Sequence, residues 1–351
     1  MTGPPIAERY ASVVRTENVL LIFLLAEIND LDILTGDIGN AYLNAYTNEK
    51  VYAIAGPEFG SRAGQIMIIE KAMYGLKTSA NRWHAHLSDT LRNLGFVPSY
   101  SGENMWMKEC KEWWEYLVVH TDDFIIASKN PGKIMNQLQK VYTINKPGPP
   151  SYLLGFDVTR RDNYWTLGSK TYVKAALERI EKLFGCIAKE RTPMTASNHP
   201  ELDESELLDH QDKEFYQMLI GMARWVIHLG RIDIMFALSC LDRFSAAPRQ
   251  GHFDRLIKVW GYLKKFPSRE FCVNPNKFLV DDEVTEVSNW TEQYPYAKEN
   301  IPPDRPNSYG PSIKITCFVD SDHTHEKKNR RSVTGFIICL NGLRLIWYCK
   351  R

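Results

Sequence analysis

The 351-residue chain has almost no net charge, with 43 Lys and Arg against 42 Asp and Glu. Whole-chain electrostatics therefore do not mark a polyanion binder, and any such surface must come from local clusters. Arg160-Arg161, Lys264-Lys265 and Lys327–Arg331 are the candidates, and each taken alone reads first as a solvated face. Cysteine is sparse and unpatterned. The seven, at 110, 186, 240, 272, 317, 339 and 349, form no C-x-x-C pair and are odd in number. That argues against a zinc spacing and a disulfide framework, and it fits a reducing intracellular setting. Long apolar runs are missing too. Val19–Leu25 is far short of the roughly 20 residues a bilayer needs. It also lacks the basic start and small-residue cleavage site of a secretory leader. It reads as a buried helix, and no membrane partner is expected.

The length suits two or three domains, and the apolar content suffices for ordinary cores. Helical spacing places an apolar helix over 15–30 and another over Arg82–Leu94, where Trp83, Leu87, Leu91 and Leu94 share a face and Gly95 caps the end. Further helices are expected over 131–143, Lys170–Phe184 and 213–266. Strands are expected at Gln65–Ile69, Asn104–Lys108, Tyr152–Arg160 and Tyr164–Gly168. The last two are joined by Asp162-Asn163, a favourable hairpin turn. Residues 197–212 are acidic and read as a surface connection. Residues 267–312 are irregular and rich in Pro, Asn and Asp, and a new β pattern starts at Ile313.

The chemistry-bearing feature is Tyr116–Ser128, two apolar runs broken by His-Thr-Asp-Asp. This is a strand–turn–strand pattern that lifts Asp122 and Asp123 to the tip of a sheet. Alone, an Asp pair at a hairpin tip is usually only a turn. Asp37 adds a third carboxylate, in a strand that enters a helical or turned segment. Three converging carboxylates suit Mg²⁺, which takes oxygen ligands and combines a few carboxylates with substrate phosphates. Two such ions about 4 Å apart clamp both oxygens of a phosphoryl transfer.

With these residues stands a series of motifs. Asp37-Ile-Gly-Asn-Ala-Tyr-Leu-Asn44 is followed by Lys71-Ala-Met-Tyr-Gly-Leu-Lys-Thr-Ser-Ala-Asn-Arg-Trp83, the Asp122-Asp123 hairpin, Leu153-Leu-Gly155 and Thr192-Pro-Met194. Then come Tyr216–Gly221, Arg231-Ile-Asp233, Gly261–Lys264, Val319-Asp-Ser-Asp322 and Arg330–Phe336. Their content and order resemble the reverse transcriptase of copia-type LTR retrotransposons, from about residue 8 to the end.

The resemblance implies an α+β fold: a polymerase palm with an antiparallel sheet and flanking helices, then a helical region and a truncated ribonuclease H-like α/β piece. The implied segments are a palm over 1–192 with the fingers largely missing, a thumb or connection over 193–267, a linker or inserted loop over 268–312, and the ribonuclease H-like start over 313–351. It implies an RNA-directed DNA polymerase of a retroelement polyprotein, with Asp37, Asp122 and Asp123 as catalytic residues holding two Mg²⁺ ions, or Mn²⁺ in their place. Ile38, Gly39, Asn40, Ala41 and Tyr42 would line the nucleotide site. Tyr42 would be a steric gate against a ribose 2′-hydroxyl, though by itself it reads equally as a packed aromatic. Gly75, Leu76, Lys77 and Ser79 would support the template and the nascent pair, and Leu154 and Gly155 the primer end; both sets also read as turns in a core. Asp320 would be the remnant of a ribonuclease H carboxylate set, with Asp322 and Glu326 facing solvent. The implied partners are an RNA or DNA template with primer, deoxynucleoside triphosphates, and polyprotein segments such as integrase, protease and the remaining ribonuclease H. The implied setting is a cytoplasmic virus-like particle, the nucleus, or both.

Two departures stand out. His120-Thr121 replaces the family's Tyr-Val before the Asp pair, and a protonated His there would compete with cations for the carboxylates. Residues 1–14 do not match the family's basic fingers segment, so weak synthesis is expected from these residues alone. A decayed, catalytically silent fragment and a non-catalytic nucleic-acid-binding or scaffold protein remain open alternatives.

Overall fold

The computed structural model describes residues 14–195, 199–274, 290–298, 305–322 and 326–350. Residues 1–13, which hold nearly all of the segment compared with the fingers, lie outside it, as does much of 268–312. The chain divides into two compact units. One comprises residues up to Pro150 with Ser308–Pro311, and the other Ser151–Asn307 with Ser312–Arg351. The division falls at Pro150, inside the span read from sequence as palm.

The first unit contains helix α1 (Thr16–Ile28), strands β1 (Asp32–Ile38), β2 (Tyr52–Ile54) and β3 (Ile66–Ile68), helix α2 (Ser79–Asn93), and strands β4 (Val97–Ser99), β5 (Gly102–Cys110), β6 (Trp113–His120) and β7 (Asp123–Ser128). Helix α3 (Pro131–Gln139) and strand β8 (Ile144–Gly148) complete it. Six strands form one sheet in the order β4-β5-β6-β7-β1-β8, and β2 pairs with β3 separately.

Strands β6 and β7 are apolar on both faces because both faces are covered. Leu117, Val119, Phe124 and Ile126 join Trp83, Leu87 and Leu91 of α2 and Ile134, Met135 and Leu138 of α3 in one core. The alternate set, Tyr116, Val118, Ile125 and Ala127, is also buried, on the side where α1 packs. That explains why α1 is apolar nearly all round and buries Val19, Leu20, Ile22, Phe23 and Leu24.

One expectation needs adjusting here. The helix expected to reach 143 stops at Gln139, because Val141 and Tyr142 both turn back to the Leu138 carbonyl and Tyr142 enters the core. The following Ile144–Gly148, whose Lys-Pro-Gly looks like a breaker, is edge strand β8. An edge tolerates Pro147 because its missing N–H faces away from the ladder.

The second unit opens with β9 (Tyr152–Leu153), β10 (Phe156–Arg160) and β11 (Trp165–Gly168), followed by α4 (Lys170–Phe184), α5 (His210–His228), α6 (Met235–Asp242), α7 (Gln250–Lys265) and β12 (Glu270–Val273). The short helix α8 (Trp290–Gln293) precedes a three-stranded antiparallel meander, β13 (Ile315–Ser321), β14 (Thr334–Leu340) and β15 (Leu343–Lys350). Helices α4 to α7 share a core around Tyr216, Trp260 and Leu263.

Tyr152–Arg160 is not one strand. Leu154 and Gly155 have positive φ, 50° and 89°, and fold it into a hairpin in which Phe156 pairs with Leu153. Within the expected linker, β12 adds to the sheet beside β11, with Val273 opposite Trp165. The acidic 197–212 segment is not wholly superficial, because Glu201 is buried. Glu326 is buried as well, contrary to the expectation that it faces solvent. It pairs with Arg243, and Asp322 is half-buried with its Oδ1 accepting the Val333 N–H. Sequence spacing gave no sign of these partners, which lie about 80 residues apart for Arg243 and Glu326.

Candidate functional site

The site forms where β1 and the β6–β7 hairpin meet. Antiparallel pairing sets Asp37 directly opposite Asp123, and the Ile38 N–H donates to the Asp122 carbonyl at 2.8 Å. The ladder thus brings the three carboxylate-bearing residues to one sheet end, and all three are half-buried. Burial pushes the Asp123 carboxyl above its ordinary range, and the charges of Asp122 and Asp37 push it further. Among the described residues no three His, Cys, Asp or Glu side chains close into a metal-ligand group. The carboxylates share one end of the sheet, therefore, without forming a complete coordination set. For Mg²⁺ such a set is not required, since waters and substrate phosphates supply most ligands.

Three contacts fix this geometry. Strand β1 is bulged against β8 between Thr35 and Asp37, and bulges commonly re-aim side chains beside functional sites. The bulge sets Asn145 opposite Asp37, and its Nδ2 donates to Asp37 Oδ2 at 2.8 Å. The hairpin turn carries Thr121 at φ 58°, a conformation that strains a β-branched residue. The buried Trp83 indole holds that turn, Nε1–H donating to the Thr121 carbonyl at 2.6 Å. Gly36 allows close packing. A Cβ there would lie 2.8 Å from both Ile144 and the Phe124 ring. Neither Asn145 nor Gly36 was singled out from sequence. Asn145 lies in the edge strand that sequence reading missed, and Gly36 is one glycine among 21.

The other expected site residues spread outward from here. Ile38 is buried under the sheet end. Gly39 donates to the Thr143 carbonyl at 2.8 Å, and a Cβ there would sit 3.2 Å from Asn145 Nδ2, so its bareness leaves room for the amide that grips Asp37. Asn40, at φ 51°, turns the chain into a short 3-10 segment carrying Ala41 and Tyr42. Ala41 is buried. Tyr42 is half-buried, packs on the α2–sheet core and lies 4.6 Å, centroid to centroid, from Tyr74. Burial, then Tyr74 and Asp122, push its hydroxyl pKa up, which sets Tyr42 within the field of Asp122. It is thus both a packed aromatic and a neighbour of the carboxylates.

In the Lys71–Trp83 block, Gly75 is exposed at φ 97°, Leu76 is half-buried and Lys77 is exposed. Ser79 is 2% exposed, and its hydroxyl bonds both the N–H and the carbonyl of Met73. It closes the loop instead of presenting a group to solvent. Thr78 N–H and Oγ1–H both donate to Glu49, at 2.8 and 2.7 Å. Leu154 and Gly155 belong to the second unit, where a Gly155 Cβ would press on Leu229 and Trp225. Asp320 is exposed on β13, the edge strand of the meander.

A mixed helix and antiparallel-sheet fold with acidic residues at one sheet end defines a class, and comparison with known proteins bears on which one. The family model described as "Reverse transcriptase (RNA-dependent DNA polymerase)" matches residues 3–196. The chain belongs to this family, in its copia-type LTR retrotransposon branch. It is 23% identical over 321 residues to a transposon Ty5-1 protein of Saccharomyces cerevisiae, covering 90% of this chain and 92% of that one. It is 23% identical over 355 residues to the retrovirus-related Pol polyprotein from transposon RE1 of Arabidopsis thaliana, covering 99% of this chain and 22% of the polyprotein. The Pol polyprotein from transposon TNT 1-94 of Nicotiana tabacum is 21% identical over 360 residues, with 98% and 24% covered. The chain thus spans under a quarter of the length of these plant polyproteins. Among the described residues no helix is long and apolar enough to cross a membrane.

Proposed function

We propose that the first unit is the palm of an RNA-directed DNA polymerase, with Asp37, Asp122 and Asp123 as its catalytic carboxylates. The observation that carries this reading is the Asp37–Asp123 register, with the Asp122 carbonyl bonded to Ile38. In this reading the three carboxylates hold two Mg²⁺ ions, or Mn²⁺ in their place. The fit rests on hard oxygen donors gathered at one sheet end, where burial first, and the charges of Asp122 and Asp37 second, push the Asp123 carboxyl up. When bound, such cations activate a primer 3′-hydroxyl and neutralise the triphosphate.

The chain's own residues do the positioning. Asn145 orients the Asp37 carboxylate, and Trp83 holds the turn that carries Asp122. Tyr42, beside Asp122, takes the place of the sugar gate. Gly75, Leu76 and Lys77 support the template and nascent pair, with Ser79 acting through the loop it closes. Leu154 and Gly155 act at the primer end. The partners are a primed RNA or DNA template and deoxynucleoside triphosphates. Other polyprotein segments, such as protease, integrase and further ribonuclease H, belong to the parent element. The meander β13–β15 with Asp320 is assigned to the ribonuclease H-like start, without cleavage activity of its own. Synthesis takes place in a cytoplasmic particle or the nucleus.

Residues 1–351 alone give weak synthesis in this reading, because charge-assisted contacts to a triphosphate are worth roughly 1.5–3 kcal/mol each. Such contacts come in the family from a basic fingers segment that residues 1–14 do not match. Extension of a DNA primer on poly(rA) with Mg²⁺ or Mn²⁺ tests it. Joining the family's basic segment is expected to raise extension, and Asp37→Asn or Asp122→Asn to abolish it. Robust extension by the unmodified chain would overturn the weak-synthesis claim, and extension indifferent to both substitutions would overturn the site.

A further inference from the structure

Among the described residues, strand β13 is the one long sheet edge without protection. Edges present unpaired N–H and C=O groups, and proteins blunt them with shortness, Pro, Lys or bulges. The six-stranded sheet ends on β4, which holds Pro98, and on β8, which holds Lys146-Pro147. The β2–β3 pair and the edges β9 and β12 are short, at four residues or fewer. Strand β15 carries Arg344 and Lys350 and is bulged against β14. By contrast β13 runs for seven residues, Ile-Thr-Cys-Phe-Val-Asp-Ser, with no Pro, Lys, Arg or register shift. Ile315, Phe318 and Val319 are 70%, 55% and 68% exposed.

The bonds at its two ends fix which backbone groups face outward. Asp322 N–H donates to the Val333 carbonyl at 3.1 Å, and the Lys314 carbonyl accepts the Asn341 N–H at 2.9 Å. Antiparallel bonding alternates along a strand, so Thr316, Phe318 and Asp320 bond β14, and Ile315, Cys317, Val319 and Ser321 turn their N–H and C=O away from it. Apolar rows cross the meander and stop at this edge. Trp347, Ile337 and Phe318 form one row. Tyr348, Phe336 and Val319 form another on the opposite face, with the Tyr348 and Phe336 rings stacked at 5.2 Å.

We propose that β13 pairs antiparallel with β13 of a second copy of this chain, making a two-fold dimer through the second unit. The strand is complementary to itself about Phe318. A two-fold axis there uses the whole strand and sets Phe318 against Phe318, Cys317 against Val319 and Ile315 against Ser321, so both apolar rows continue into the second copy. Asp320 faces Thr316 and not a second Asp320. The flanking Lys314 faces Asp322 of the second copy at both ends, so opposite charges meet and like charges stay apart. The outward N–H and C=O groups of Ile315, Cys317, Val319 and Ser321 meet their counterparts in this register. One strand edge is small beside the roughly 800 Å² per partner of a stable interface, so a reversible dimer of micromolar affinity is expected.

The test is sedimentation velocity of the full chain, freed of nucleic acid, across a concentration series. The readout does not depend on synthesis, so a failure of the polymerase reading leaves it intact. The chain is expected to pass from monomer to dimer as concentration rises. Val319→Pro removes one outward N–H from each copy and spares the bonds to β14. It is expected to weaken the dimer at least about tenfold, with circular dichroism unchanged. Val319→Lys keeps the N–H but puts a charge on the edge, and is expected to act in the same direction. In a Cys317→Ser background, Phe318→Cys sets two thiols across a non-hydrogen-bonded pair, with Cα atoms about 4.5 Å apart and within disulfide reach. Mild oxidation is expected to yield a peptide linked to itself at position 318. Thr316→Cys in the same background sets the two copies' thiols more than about 13 Å apart and is expected not to link. A dimer indifferent to both Val319 variants, or linkage through Thr316→Cys in place of Phe318→Cys, would overturn the proposal. So would a monomer at every concentration, and slow amide exchange in its β13 would then show that another segment of the chain occupies the edge.

Discussion

The Asn145 amide donates to Asp37 Oδ2 at 2.8 Å, joining an edge strand to the central carboxylate of the candidate site. Nothing else in β8 reaches that carboxylate among the described hydrogen bonds. Losing one hydrogen bond to a charged group costs roughly 1.5–3 kcal/mol. Asn145→Ala is therefore expected to lower primer extension by about ten- to a hundredfold, measured in the chain joined to the family's basic segment, since about 1.4 kcal/mol is tenfold. The thermal midpoint should fall far less than the rate. An unchanged rate would show that Asp37 needs no such support.

Trp83 gives a second, separable effect. Trp83→Phe keeps an aromatic ring in the core but removes the N–H that holds the Thr121 carbonyl. The bond itself contributes about 0.5–1.5 kcal/mol, and smaller volume adds a packing loss. The expected sign is faster amide hydrogen exchange at Thr121–Asp123 than in β6, together with reduced extension. Exchange unchanged at the turn would mean that the strained Thr121 conformation is held by the strands alone.

Much of the site could be read from residue order, and the reasons are physical. Strong alternation and apolar runs made β6, β7, α2 and α4 visible, and the Asp pair between two such runs located the hairpin tip. What escaped notice was set by partners distant in sequence. The edge strand β8 drew no expectation, since it holds Lys-Pro-Gly, which only an edge accommodates. Leu154-Gly155 looked like the middle of a strand because local patterning does not reveal a positive φ at Leu154. Glu326 looked solvent-facing because its loop is basic and polar, and only the folded chain brings Arg243 to it.

That buried ionic cluster predicts a large stability effect. Glu201 and Glu326 have side chains 3% and 4% exposed, and both bond Arg243. Removing one partner from a buried pair typically costs about 3–5 kcal/mol. Arg243→Ala should destabilise by about that amount in urea unfolding monitored by Trp fluorescence. Restoring part of it with Glu326→Gln in the same chain would confirm that the lost stability comes from a stranded charge. No change on Arg243→Ala would contradict the burial.

His252 supplies a pH dependence. It is 2% exposed, its Nδ1 accepts the Arg249 N–H at 3.1 Å and its Nε2 faces the Pro200 carbonyl at 2.8 Å. Both ring nitrogens are thus used by the neutral tautomer. Burial lowers its pKa below the ordinary 6.5, with the Pro200 bond opposing. For a histidine held neutral in the fold, the unfolded chain binds the proton first. Stability is then full above about pH 6.5 and falls as pH drops toward the depressed native value. The thermal midpoint should fall from pH 7 toward pH 5, and His252→Asn should flatten that part of the decline. A decline of equal steepness in the variant would remove His252 from the account.

The central claim is that Asp37 and the Asp122-Asp123 pair form one cation-dependent polymerase site. The most direct measurement is primer extension on poly(rA) by the chain joined to the family's basic segment, with Mg²⁺ titrated in and with Asp37→Asn and Asp122→Asn alongside. The account predicts Mg²⁺-dependent extension, restored after chelation by Mg²⁺ or Mn²⁺ and lost in each variant while the fold persists. No extension by the folded, joined chain, or extension that survives both substitutions, would contradict it.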